Sequence, residues 1–207
     1  RPTCQPRRTS SSMRPLPEIS RVVDYAHSKE KSDWMDVFLS AQCRFFIGTS
    51  SGPYTFAMAF GRPVVMTNLL PTYAIYILTS QDLVIPRLFK SLRDHRYVSF
   101  EESLDPFLGT AAFKKRYEKA DMEVMENSED EIKDLVEEML EKCEGRLQYS
   151  EEDERLQKTF QSVAADCGKR YGEEHVVANA RIGRSFLHKH AALLPATREP
   201  ALAAEIN

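Results

Sequence analysis

Five consecutive small residues, Gly48-Thr49-Ser50-Ser51-Gly52, hold the densest chemistry in this chain. Three hydroxyls stand between two glycines, and Pro53 and an apolar run follow. If a helix starts at Pro53, backbone N–H groups, hydroxyls and the positive end of that helix all converge on one place. Such a place holds an anion, most often phosphate. Glycine at both ends lets the backbone approach the ligand closely. A small polar loop also serves a tight turn with no ligand at all. The pattern is neither a dinucleotide GxGxxG nor a Walker loop, because no Lys follows the second Gly.

The flanking segments must position this loop. Cys43-Arg44-Phe45-Phe46-Ile47 has the aromatic and β-branched composition of a buried strand. Pro53 suits a first helical position, where its missing N–H would be unpaired anyway. The helix is predicted to run to Phe60 and to stop at Gly61, with the next strand over residues 62–67. Upstream, residues 21–25 predict a strand whose loop is Ala26-His27-Ser28. Ser32 then caps a helix in which Trp34, Val37, Phe38 and Ala41 make one buried stripe. The order β-α-β-α-β predicts a Rossmann-like α/β fold: a parallel sheet with right-handed crossovers and helices on both faces. Ligands of such sheets bind beyond the strand C-termini. His27, the 48–52 loop and Asn68 are therefore expected on one rim.

The middle of the chain is less regular. Residues 81–89 read as a short strand or a loop, 99–104 and 111–119 as short helices, and 122–126 as a short strand. The last third is helical. Ser128 with Glu131 makes a capping box before a stripe of Ile132, Leu135, Val136, Met139, Leu140 and Cys143, and Gly145 stops that helix. Ser150 caps a second helix carrying Leu156, Phe160, Val163 and Cys167, and residues 180–194 predict a third.

The bulk composition excludes several classes. A formal net charge of −3 argues against nucleic acid as a partner. The four cysteines are widely spaced, with no metal-binding pattern, and read as reduced, small apolar residues. They fit a cytoplasmic location. No apolar run reaches the length of a transmembrane segment. Asp33 and Asp36 read as cap and surface groups. The acidic band over residues 129–154 is a solvated face, and no DxD metal motif is present.

The string FxGxxSGPxxxAxAxGxPVV, from Phe46 to Val65, resembles the donor-binding core of the C-terminal domain of GT-B glycosyltransferases, the heptosyltransferase-like kind especially. The resemblance is closer still to a bacterial glycosyltransferase family of surface-polysaccharide loci. It is carried by DYAHSxxKSDWMDVFLxAxCRFFIGTSSG (residues 24–52), FGRPVVMTN (60–68), QDLVIP (81–86), YSEEDERLQ (149–157) and ARIGRSFL (180–187). It spans roughly residues 13–195.

This resemblance implies that the 48–52 loop receives the diphosphate of a nucleotide sugar, the sugar then passing to a glycan or lipid-linked acceptor. His27, Asn68, Gln81 and Asp82 are candidate contacts to the donor base or sugar; the bland alternative is a loop histidine exposed to water or bonded to a neighbouring carbonyl for His27, and a turn residue for the other three. Arg181 and Arg184 are further candidates for the diphosphate, because Arg matches phosphate geometry; the alternative is a pair of helix-surface arginines. No cofactor and no metal are implied; the nucleotide sugar is a substrate, and no catalytic residue is assigned. The expected organisation is a disordered tail (1–12), a Rossmann-like donor-binding unit incomplete at its N-terminus (13–127), helices that complete it (128–195) and a flexible tail (196–207). A separate N-terminal domain, which the GT-B architecture requires, is an implied partner. A nucleotide-sugar epimerase of similar architecture, or a non-catalytic remnant of a transferase, are the alternatives.

Overall fold

Short apolar runs separated by helices give this chain its sheet. The computed structural model describes residues 14–110, 114–170 and 178–195. Its strands are β1 (Phe46–Gly48), β2 (Val64–Leu69), β3 (Leu83–Pro86), β4 (Leu88–Ser91), β5 (Met122–Met125) and β6 (Arg181–Ile182). Strands β1, β2, β3 and β6 form a sheet in that order, and every pair is parallel. Strands β4 and β5 pair antiparallel beside it. The helices are α1 (Asp33–Gln42), α2 (Tyr54–Ala59), α3 (Phe100–Leu104), α4 (Pro106–Gly109), α5 (Lys114–Glu118), α6 (Glu129–Cys143), α7 (Glu151–Arg170) and α8 (Arg184–Lys189). The chain is thus an α/β protein with a four-stranded parallel sheet, as the strand and helix order implied.

The two central strands are the core. Val64, Val65, Leu69, Leu83, Val84 and Ile85 have no exposed surface. Helix α6 brings Leu135 and Met139 into that core, and α7 brings Leu156, Phe160, Ala164 and Cys167. Phe160 meets Phe100 edge-on, with ring centroids 5.3 Å apart. Gly61 and Gly145 follow their helices with φ of +67° and +68°, the left-handed stop that glycine adopts without strain.

Several expectations need correction. Residues 21–25 form no strand. A single 3-10 turn, Tyr25–His27, stands at their end, and Val22 and Val23 are exposed. The Asp24 carboxylate accepts the Leu16 amide at 3.0 Å and lies 2.9 Å from His27 Nδ1. These local side-chain bonds compete with strand pairing. The expected stripe of α1 is not buried either. Trp34 is 67% exposed and Phe38 42%, and the two rings stack on each other at 5.0 Å. Strand β1 is an edge of the sheet, so α1 has little beyond α2 to pack against.

The helix predicted over residues 180–194 is interrupted at its start by β6, which pairs with Leu83 and Val84. Gly183 follows as the N-cap of α8 and packs so closely that a Cβ there would stand 2.6 Å from Leu135 Cδ1. A two-residue strand leaves no periodic signal. The segment 81–89, read as a short strand or a loop, holds β3 and the first two residues of β4, and the short strand β5 lies within the expected 122–126 segment. The expected tails at 1–12 and 196–207, and residues 111–113 of the expected helix 111–119, lie outside the described residues.

The capping box of α6 does a second task. Ser128 Oγ accepts the Glu131 amide at 3.3 Å, and Glu131 Oε2 accepts the Ser128 amide at 2.8 Å. Lys189 Nζ and His190 Nε2 reach the other carboxylate oxygen at 2.8 Å each, joining the end of α8 to the start of α6. Burial pushes the Glu131 carboxyl up, but hydrogen bonds from Lys189, His190 and the Ser128 amide outweigh it and hold it at about 2. A depressed folded-state pKa gives stability that is complete above the unfolded carboxylate range and is lost as pH falls through the folded value. Wild-type stability, followed by chemical denaturation, should therefore drop more steeply between pH 4.5 and about 2 than that of Glu131→Gln. Parallel profiles would contradict the latch.

Candidate functional site

A parallel sheet delivers the ends of all its strands to one edge. The 48–52 loop leaves β1 there. At Gly48 a Cβ would meet the edge of the Phe46 ring at 2.6 Å, so a side chain there would displace that ring. Thr49, Ser50, Ser51 and Gly52 are all exposed. The Ser51 amide turns back to the Thr49 carbonyl at 2.6 Å. Ser50 Oγ donates to the Leu70 carbonyl at 2.6 Å and so ties the loop to the end of β2. Thr55 Oγ1 donates to the Gly52 carbonyl at 2.6 Å. Pro53 stands at the N-cap of α2 with φ of −59°, one position before the expected one. Among the described residues, the amides of Ser50 and Gly52 find no acceptor. Two exposed, unpaired N–H groups beside three hydroxyls can coordinate an anion.

Asn68 lies beside this loop at the end of β2, with φ of +50°, where the β2–β3 register shifts. Asn tolerates this left-handed conformation better than most residues. Its amide donates to Asn127 Oδ1 at 2.6 Å, and its own Oδ1 accepts the Asn127 amide at 2.9 Å. Asn127 Nδ2 donates to the Pro86 carbonyl at 2.9 Å. Arg87 follows at the end of β3. Its amide donates to the Leu69 carbonyl at 3.1 Å, and its Nη2 donates to Glu126 Oε1 at 2.8 Å. The rim therefore unites the 48–52 loop, Asn68, Asn127 and Arg87. Sequence reasoning missed the last two. Asn127 precedes a helix cap and looks like a turn residue, and its partner is 59 positions away.

Other candidates lie elsewhere. His27 is not at a strand end, because no strand precedes it; it is exposed in the 3-10 turn with Nδ1 against Asp24. Its neighbours Tyr25 and Ala26 line a groove of about 510 Å³ along the outer side of β1, together with Leu39, Ile47 and Phe56. Gln81 and Asp82 precede β3 and stand at the opposite edge of the sheet from the loop. Asp82 is fully buried. Its Oδ1 accepts the Val64 amide at 2.7 Å, and its Oδ2 accepts the Thr79 amide at 2.7 Å and the Thr79 hydroxyl at 2.8 Å. The Gln81 carbonyl accepts Lys142 Nζ at 3.0 Å.

Arg181 begins β6 and also stands away from the rim. It lies over the Tyr149 ring at 3.7 Å and pairs with Glu154 at 3.0 Å. Arg184 follows β6, so it stands at the same edge as the 48–52 loop but at the other end of the strand order, and it pairs with Glu141 at 2.7 Å. Its amide donates to Glu138 Oε2 at 2.8 Å, and Tyr149 Oη donates to Glu138 Oε1 at 2.8 Å. Burial pushes the Glu138 carboxyl up, opposed by these bonds and by the nearby Arg184 and Arg181 charges.

No family model matches the chain, and neither a curated protein nor a solved structure matches it. Among the described residues, no group of three or more His, Cys, Asp and Glu could hold a metal ion. No described helix is long and apolar enough to cross a membrane.

Asp82 is a joint between the starts of β2 and β3. Asp82→Ala strands the buried Val64 amide and removes the partner of the exposed Thr79 amide and hydroxyl; it should lower stability by about 2 kcal/mol in urea denaturation. A loss under about 1 kcal/mol would contradict that role.

Proposed function

We propose that this chain is the donor-binding part of a GT-B-type glycosyltransferase, which takes a sugar from a nucleotide sugar to a glycan or lipid-linked acceptor. One observation carries the reading. The exposed 48–52 loop, with hydroxyls and the unpaired amides of Ser50 and Gly52, lies at the C-terminal edge of a parallel sheet. The resemblance of residues 24–52 and 46–65 to that enzyme group supports it. In this reading the loop faces the donor diphosphate. The acceptor hydroxyl attacks the anomeric carbon, the bond from that carbon to the diphosphate oxygen breaks, and the nucleoside diphosphate leaves with the electron pair. Donors already aimed at the leaving oxygens stabilise the charge that develops on them. A general base takes the acceptor proton. That base belongs, in this reading, to the partner domain that the GT-B architecture supplies.

Calorimetric titration with UDP, GDP, ADP and CMP tests the reading. Saturable binding of one nucleotide is expected, with affinity lowered at least roughly tenfold in Ser50→Ala/Ser51→Ala, the scale of one or two hydrogen bonds to a charged group. A folded chain that binds none of the four would overturn it.

A further inference from the structure

Arg87 is the cation of the rim, and its side chain is less committed than those of Arg181 and Arg184. A guanidinium offers five donors. Among the described residues Arg87 uses one of them, Nη2 to Glu126 at 2.8 Å, while its Nε is buried without an acceptor. A buried donor left unpaired is costly and asks for a physical explanation. The pair itself is lopsided. The Arg87 side chain is 27% exposed and that of Glu126 is 73% exposed. A carboxylate so largely in water adds little to an ion pair and leaves it easily. The base of the arginine, by contrast, is fixed. Its amide is bound to the Leu69 carbonyl, and the preceding Pro86 carbonyl is held by Asn127.

Arg87 also stands where an extended anion would end. It follows β3, the 48–52 loop follows β1, and β2 alone separates them. Two strand spacings amount to roughly 9.6 Å. A guanidinium side chain can reach back over part of that span toward a ligand seated on the loop. Arg matches the geometry of phosphate oxygens better than any other side chain.

We propose that Arg87 is a diphosphate contact of this rim, and that Glu126 is a counter-ion which the diphosphate displaces. The proposal rests on the donor-binding reading above and adds a residue and an exchange to it. When the nucleotide binds, the Arg87 guanidinium turns from the Glu126 carboxylate to the phosphate oxygens, and Glu126 is released to water. Glu126 thus competes with the ligand, and its charge weakens binding.

The test measures affinities for UDP, GDP, ADP and inorganic pyrophosphate in wild type, Arg87→Gln, Arg87→Lys and Glu126→Gln. Arg87→Gln should weaken binding of the preferred nucleotide roughly tenfold to a hundredfold, the scale of a charged hydrogen bond. Arg87→Lys should fall between the two. Glu126→Gln should tighten binding severalfold, a gain that a structural ion pair would not give. The exposed position of Glu126 makes that variant safe for folding, and melting curves check all three. If wild type binds a nucleotide and Ser50→Ala/Ser51→Ala weakens it while Arg87→Gln and Glu126→Gln leave it unchanged, the Arg87 contact falls and the donor reading stands. If Glu126→Gln weakens binding, the exchange is wrong. If wild type binds none of the probes, both fall.

Discussion

The candidate rim depends on the exchange of hydrogen bonds between Asn68 and Asn127. Each side chain accepts the other's amide, at 2.6 and 2.9 Å, and Asn127 adds a donor to the Pro86 carbonyl. Three segments far apart in sequence, the ends of β2, β3 and β5, are held together by two residues. Without this lock, the left-handed backbone at Asn68 would have no compensation, and the β2–β3 ladder would fray where its register shifts. The Ser50 hydroxyl then fastens the 48–52 loop to the same edge through Leu70. The loop's place is thus determined by tertiary hydrogen bonds as much as by its own small residues.

The opposite edge has its own fastening. Asp82 gathers the starts of β2 and β3, and the Lys142 ammonium reaches the carbonyls of Ser80 and Gln81 at 3.0 Å. Further along, α8 is pinned at both ends by carboxylates. Glu138 receives its first amide, while Glu131 meets Lys189 and His190 at its last turn. Asp153, a residue of the α7 start, meets His188 at 2.7 Å. The charged residues that looked like candidate chemistry at this side of the molecule, Asp82 and Arg181, serve as joints of the fold.

Much of the fold was legible because its signals are local. The capping box of Ser128 and Glu131, the apolar stripe of α7 and the glycine stops after α2 and α6 each lie within a few residues of one another. The parallel βαβ unit around the 48–52 loop was legible for the same reason. The failures arise where distant partners decide. Strand β6 exists because Leu83 and Val84 are there to pair with it, not because Arg181 and Ile182 prefer a strand. The run over residues 21–25 has strand composition, yet Asp24 bonds locally to Leu16 and His27. Trp34 and Phe38 have helical spacing, and the helix formed, but spacing alone does not tell which side meets a neighbour. The site divides in the same way. Loop residues 48–52 and Asn68 share a rim as expected from strand order, whereas Asn127 and Arg87 join it only through tertiary contacts.

The central claim is that the edge bearing the 48–52 loop is the ligand-binding edge of this protein. Amide chemical-shift mapping by NMR, with the chain titrated with UDP, GDP or ADP, tests it most directly. The account predicts saturable shifts at residues 48–52, at Asn68 to Leu70 and at Arg87 and Asn127. Shifts confined to Tyr25, Leu39 and Phe56 in the groove beside β1, or to Gln81 and Asp82 at the far edge, would contradict it.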